Sequence, residues 1–400
     1  MINLYIARSR HDEVDVMPQR FIWELRLQSI ARNWHISGDV RFSNINLVND
    51  STLEADSNLK YYYYTQDIWQ DADAIFLSDR IRSDINKGNC KILLDDSLEG
   101  HNHIWQDLLK KFNVEKHQLI FLSGRINIDQ VQDINGLYIN TWEKQVMCLP
   151  LENDIRYKQF SNKQIDMIEN KVNRKYYCSM YIRRPKFHRV VLLIYLHQRK
   201  LLENMLWSFG ATCEGRKLSS NKYISFFDAE YKNSIEEVMS WGNCLPEIAE
   251  WEVDLNYNLA NINQIDLIHP LNSYYHMVSE TCSHEAKNMG GPNTRNCFFS
   301  EKTFKPMATM QPFVMHGDYL SIQNLKTMGY KTFDKWIDHS YDSIVDFKSR
   351  TYTLGEEIYR LNNISYETWS EMLYEMKEDL IYNKENLKLA WTRSNIDKLP

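Results

Sequence analysis

The chain has 400 residues, 43% of them hydrophobic, and a formal net charge of −6. That length can bury a sizeable core and points to two domains; the mild acidity excludes a chain coated in basic residues, though not a local basic groove. Its seven cysteines include no C-x-x-C pair, a pattern of reduced thiols in a cytoplasmic compartment, not of a disulfide framework or a zinc site.

Met1–Ala7 reads as an opening strand, and residues 18–34 as an amphipathic helix started by Pro18. The segment after the opening strand turns charged too early for a secretory leader, and no apolar run approaches the ~20 residues that span a bilayer. Residues 35–60 are polar and carry little signal. Short apolar runs come next at 74–77, 91–95, 119–122 and 137–140, with a helical pattern at 103–112. Strands alternating with helices predict a parallel α/β sheet.

Ligands of such sheets sit outside the carboxyl ends of the strands. The run at 91–95 delivers Asp95, Asp96 and Glu99 to such a place. Carboxylates this crowded raise at least one pKa by repulsion, which suits a general base. Glu99 is the first choice, because Gly100 beside it leaves room for an acceptor, and Asp96 the second. The competing reading makes Asp95 a strand end and Asp96 or Ser97 a helix cap. Asp71-x-Asp73 spells a metal–nucleotide D-x-D but precedes a strand, where capping suits it better. The literal triplet His101-Asn102-His103 lacks the dispersed spacing of the nuclease motif it spells. His11, Asp12 and Glu13 read as a solvated loop, although a position after the first strand also suits a binding site.

Residues 151–175 are polar and charged, and the domain boundary is placed near 170. Residues 176–182 open a second sheet and run into the basic turn RRPKFHR and an apolar helix from 190 to 204. Arg183, Arg184, Lys186, His188 and Arg189 thus cluster at a strand end, where a diphosphate could lie; arginine forks match phosphate oxygens. Further strands are predicted at 265–268 and 274–280. The second ends in Glu280, a residue suited to sugar or ribose hydroxyls or to capping the next segment. The glycine-marked loop 281–296 is long enough for a donor-covering flap.

The stretch Cys297–Gly317 reads as a short strand, a polar turn with Glu301, Lys302 and Lys305, a helix and a buried strand. Pro306 belongs in a first helical turn, so the helix is expected to start near Thr303 as N-cap. Lysines and open backbone N–H groups at a helix start suit an anion carrying a sugar. Beyond Gly317 come a helix ending near Gly329, a block rich in acids and aromatics, and a tail helical from Thr353 almost throughout.

The run S-E-K-T-F-K-P with P-F-V-M-H-G after it resembles the donor-site motif of α-1,3-fucosyltransferases and related GT-B glycosyltransferases. The chain is also similar to predicted glycosyltransferases of tailed-phage genomes, which share motifs like LLDDSLEG (93–100), RRPKFHR (183–189) and GYKTFDKWIDHSYD (329–342). The resemblance implies an α/β, GT-B-like fold, with two Rossmann-like parallel-sheet domains facing across a cleft and a helical C-terminal tail. Residues 1–170 would bind acceptor, residues 171–352 the nucleotide-sugar, and residues 353–400 would pack back on the first domain. It also implies a cytoplasmic enzyme, in the host cytoplasm if phage-encoded.

The expected reaction moves a sugar from a nucleotide-diphosphate sugar to an acceptor hydroxyl, with inversion hinted by the fucosyltransferase likeness. The base is Glu99 or Asp96; the donor contacts are Arg183, Arg184, Lys186, Arg189, Glu280, Glu301, Lys302, Thr303 and Lys305. Lysines stabilising the leaving diphosphate remove the need for a metal, and no cofactor is expected beyond the nucleotide-sugar co-substrate. Neither half carries G-x-G-x-x-G after its first strand, which sets a dinucleotide dehydrogenase aside. The acceptor is a hydroxymethylated base of phage DNA, or else a glycan. Rival readings are a non-catalytic nucleotide- or nucleic-acid-binding protein and a metal-dependent nuclease built on Asp95, Asp96 and Glu99.

Overall fold

The computed structural model describes residues 2–6, 45–48, 50–66, 77–96, 104–126, 136–138, 155–182, 185–210, 221–241, 269–281 and 297–392. The chain divides into two compact units: Met1–Gly124 with Ile128–Ile139, and Arg125–Asn127 with Asn140–Pro400. The division therefore falls earlier than the boundary expected near residue 170. The polar stretch read as a hinge contains a helix, Ile155–Glu169, that is a built part of unit 2.

Unit 1 carries β1 (Ile2–Ile6), β2 (Ile45–Leu47), β3 (Tyr61–Gln66), β4 (Cys90–Asp96), β5 (Leu119–Ser123) and β6 (Gly136–Tyr138). They form one parallel sheet in the order β2-β1-β3-β4-β5-β6. Its helices are α1 (Asp50–Ala55), α2 (Asp79–Asn86) and α3 (Ile104–Phe112). Every residue of β5 is buried, as a parallel strand covered on both faces requires. The predicted strands at 91–95 and 119–122 are present, and β2 lies in the stretch that carried little signal. The expected helix at 18–34 lies outside the described residues.

Unit 2 carries β7 (Tyr176–Ile182), β8 (Met205–Phe209), β9 (Ser273–Ser279) and β10 (Phe313–His316), all parallel, in the order β10-β9-β7-β8. Among the described residues, its helices longer than four residues are α4 (Ile155–Glu169), α5 (Phe187–Gln198), α6 (Lys232–Ser240), α7 (Glu301–Ala308), α8 (Ser321–Thr327), α9 (Phe347–Asn362) and α10 (Tyr366–Lys388). Counted from the first strand of each unit, both sheets begin with the order 2-1-3-4. The apolar helix expected through residue 204 stops at Gln198, and β8 occupies residues for which no strand is predicted. The predicted strand at 265–268 lies outside the described residues.

The core of unit 2 is apolar on nearly every side. All of His188–Leu196 in α5 is buried, the pattern of a helix covered all round. Helices α5, α6 and α9 pack together, with α9 against β7 and β10; α4, α7 and α10 form the other group, touching β9. Gly355 of α9 lies against the ring of Tyr195, so closely that a Cβ there would collide with it. Trp369 of α10 is fully buried, donates Nε1 to the Leu361 carbonyl at 2.8 Å and stacks on Tyr274 and Tyr275 of β9. The helical tail is thus a structural part of unit 2. It packs on α4, which the sequence-based division assigns to the first domain, and on α7.

The 329–342 block ties the last strand to α8. Tyr341 Oη accepts from the Met315 amide at 3.1 Å, and the Asp342 carboxylate accepts from Ile322 and Gln323 amides at 3.0 Å each, capping α8.

Candidate active site

In a parallel α/β sheet the binding crevice opens where the strand order reverses. Unit 2 reverses between β7 and β9. At the end of β9 stands Glu280, fully buried. Its main-chain carbonyl accepts from Arg189, through Nε at 3.2 Å and Nη2 at 2.8 Å, and from His188 Nε2 at 2.8 Å. A carbonyl only accepts, so that imidazole nitrogen carries its proton. Lys186, at the N-cap of α5, reaches the neighbouring Thr281 carbonyl through Nζ at 2.9 Å.

The Glu280 side chain turns to the other basic segment. Its Oε1 accepts from the Ser300 amide at 3.0 Å and from the Thr303 hydroxyl; its Oε2 accepts from Ser300 Oγ and from the Thr281 amide, both at 2.7 Å. One residue thereby ties the turn after β7 to the start of α7. The sequence offers Glu280 for sugar or ribose hydroxyls or for capping the next segment; its carboxylate takes the Thr281 amide and braces two turns through donors of the protein itself. Arg189 likewise is buried and holds a carbonyl, where a phosphate fork was expected.

Helix α7 begins one turn earlier than expected. Ser300 is its N-cap and accepts from the Lys302 amide at 3.4 Å, so Thr303 is the third helical residue and points inward. Pro306 is then the sixth helical residue, where its missing N–H leaves the Lys302 carbonyl without its usual helical donor. Of the amides at this helix start, that of Ser300 goes to Glu280 and that of Lys302 to Ser300 Oγ. What the turn offers outward is side chains: Glu301 is 17% exposed and Lys302 23%, paired at 2.5 Å from Nζ to Oε1. Burial pushes the Glu301 carboxyl up, but Lys302 and Lys305 outweigh it and bring it down to about 2.

Behind Glu280 lie two neutral histidines. His316, paired in register with Ser279, stands with its ring 5.6 Å from that of His188 and its Nε2 3.1 Å from Thr351 Oγ1. Burial, then Arg350 and Arg189, hold His316 down to about 3; burial, then Arg189 and His316, hold His188 well below the usual imidazole range.

Two further residues escape sequence reading. Arg125, which belongs with Asn127 to unit 2, pairs with buried Asp318 at 3.5 Å and forms an antiparallel bridge with Phe298. Asp318 also accepts from the Phe298 amide at 3.3 Å. The only available signal was the acid after Gly317, at the end of the last strand.

Glu99, Arg183 and Arg184 lie outside the described residues, as do residues 282–296 of the loop expected to cover a donor. Asp96 closes β4, in register with Ser123. Unit 1 reverses its order between β1 and β3, so β4 is one strand removed from the reversal. His11, Asp12 and Glu13 also lie outside the described residues.

No protein-family model, curated protein or solved structure matches this chain. Among the described residues, no helix is long and apolar enough to cross a membrane.

Proposed function

We propose that this chain is a glycosyltransferase of the two-domain GT-B kind, transferring a sugar from a nucleotide-diphosphate sugar to an acceptor hydroxyl. The observation that carries the reading is the double role of Glu280. Its carbonyl fixes Arg189 and His188 of one basic turn, and its carboxylate fixes Ser300 and Thr303 of the other. Lys302 and Lys305 stand on the helix whose start is anchored in this way.

A pyrophosphate at this reversal would be held mainly by side chains, because the Ser300, Lys302 and Thr303 amides are already paired. Lys302, Lys305 and Arg184 stabilise the charge that develops on the leaving diphosphate, a preorganised electrostatic effect of the kind that dominates many enzymes. Glu301, ionised throughout the neutral range, is suited to accept from donor sugar hydroxyls. The expected base is Glu99 or Asp96. The acceptor is a hydroxymethylated base of phage DNA or a glycan.

The test is a melting-temperature screen of the purified chain against UDP-, GDP- and dTDP-sugars, with an assay for nucleotide release on each donor that shifts it. One donor should raise the melting temperature and be hydrolysed slowly, and Lys302→Ala should abolish both effects. Silence across the panel with DNA binding intact would instead mark a non-catalytic binding protein. Mg²⁺-dependent DNA cleavage lost in Glu99→Ala would mark a nuclease.

A further inference from the structure

A cavity lies in unit 2, made by residues that the donor reading does not use. The end of α8, the segment 334–340 and Arg360 of α9 enclose an open pocket of about 520 Å³. Its cations are all tied to carboxylates. Lys326 Nζ stands 2.6 Å from Asp334 Oδ1, Lys335 Nζ 2.6 Å from Glu375 Oε2, and Arg360 binds Glu357 through Nη2 at 2.6 Å and Nε at 2.7 Å. Trp336 is set among them: its indole N–H donates to Glu375 at 3.1 Å and its carbonyl accepts from Arg360 at 2.8 Å. Lys335 Nζ lies 4.8 Å from the indole centroid. The exposed Asp338 carboxylate accepts from the Ser340 amide at 2.8 Å and its hydroxyl at 3.0 Å.

The charge balance selects the ligand. An anion entering here must compete with carboxylates already seated on each cation, and a metal ion meets three positive groups. A hydroxyl disturbs neither. It accepts from the remaining N–H directions of an ammonium or guanidinium, and donates to the unused lone pairs of a carboxylate. Paired ions thus present alternating donors and acceptors beside a partly exposed indole. Such a mixture of a few oriented polar groups and aromatic surface suits a compact polyhydroxylated ring.

We propose that this pocket is a binding subsite for a neutral oligosaccharide, separate from the donor site. The proposal does not depend on the chain being a transferase.

The experiment is saturation-transfer NMR on the full chain with a fixed neutral panel of maltose, cellobiose, lactose and chitobiose, and with sialyllactose as charged control. At least one neutral disaccharide should bind at millimolar concentration. Trp336→Ala and Asp338→Ala should each weaken it tenfold or more, with Trp336→Phe losing less than Trp336→Ala. Lys302→Ala and added UDP should leave the signal unchanged, which separates this site from the donor site. If Trp336→Ala fails to fold, Asp338→Ala, an exposed position, decides alone. Silence across the neutral panel, binding of sialyllactose only, or neutral binding that survives Asp338→Ala overturns the proposal.

Discussion

Arg189 directs two hydrogen bonds, from Nε and Nη2, to one acceptor, the main-chain carbonyl of Glu280. A buried guanidinium held by a backbone oxygen fixes the strand end as firmly as an ion pair would, and leaves the Glu280 carboxylate for the other turn. Arg189→Met should therefore cost about 1.5–3 kcal/mol, the range for charge-assisted hydrogen bonds. Arg189→Lys should recover little, since a single ammonium lacks the fork. Urea unfolding of both variants checks this; full stability of Arg189→Lys would show that position, not geometry, matters.

Glu280→Gln probes the other half of the brace. The carboxylate accepts four hydrogen bonds, whereas a glutamine sets an NH₂ in place of one oxygen, against either the Ser300 amide and Thr303 hydroxyl or the Ser300 hydroxyl and Thr281 amide. A loss of about 2–3 kcal/mol is expected from the donors left unpaired. Weaker donor binding should accompany it, because α7 loses the contact that sets its start. Stability unchanged in Glu280→Gln would mean the brace contributes nothing.

Much of this architecture is legible in the sequence, and the failures have identifiable causes. The strands 176–182 and 274–280 and the helical tail declare themselves because their apolar periods are unbroken. The helix Ile155–Glu169 is hidden because charged letters crowd its outer face, while a few residues do the packing: Tyr157 Oη donates to the Ala308 carbonyl at 2.6 Å, and Gln164 Nε2 to Thr309 and Met310 carbonyls at 3.2 and 3.1 Å. Pro306 favours a first turn and so points to Thr303 as the N-cap; the buried carboxylate of Glu280, distant in sequence, moves the cap to Ser300. Strand order is a long-range property, so nothing local reveals that β4 misses the reversal of its sheet.

The neutral histidines give a pH dependence with a definite sign. Both imidazoles have folded pKa values depressed below the usual 6.5, so their contribution to stability is complete above that value and declines as pH falls toward the folded values. Two protons taken up on unfolding correspond to a slope of up to ~2.7 kcal/mol per pH unit, at ~1.36 per proton. Unfolding at a series of pH values from 7 to 4 should reveal it, and His316→Phe should remove about half. An unchanged slope in that variant would show His316 already protonated in the fold.

Glu301 reports on the lysines around it. Its carboxyl is brought down to about 2 against the upward push of burial, so NMR titration of its side-chain carbon should show a midpoint near there. Lys302→Met should raise the midpoint. A saturating nucleoside diphosphate should raise it as well if its phosphates settle on Lys302 and Lys305, because negative charge beside a carboxylate opposes ionisation. A midpoint indifferent to the nucleotide would move the anion elsewhere.

The choice of base is open to a direct comparison between two positions in unit 1. In sequence Glu99 follows β4, while Asp12 follows β1, one of the two strands between which the sheet reverses. General-base catalysis typically contributes 10²–10⁴-fold, so Glu99→Gln should lower kcat by about 10²-fold or more with the donor KM unchanged, as expected when an interaction made only in the transition state is lost. Asp96→Asn should cost less, and Asp12→Asn should act mainly on the acceptor KM. Should the loss of kcat fall on Asp12→Asn instead, the strand order rather than the crowding of carboxylates would have located the base.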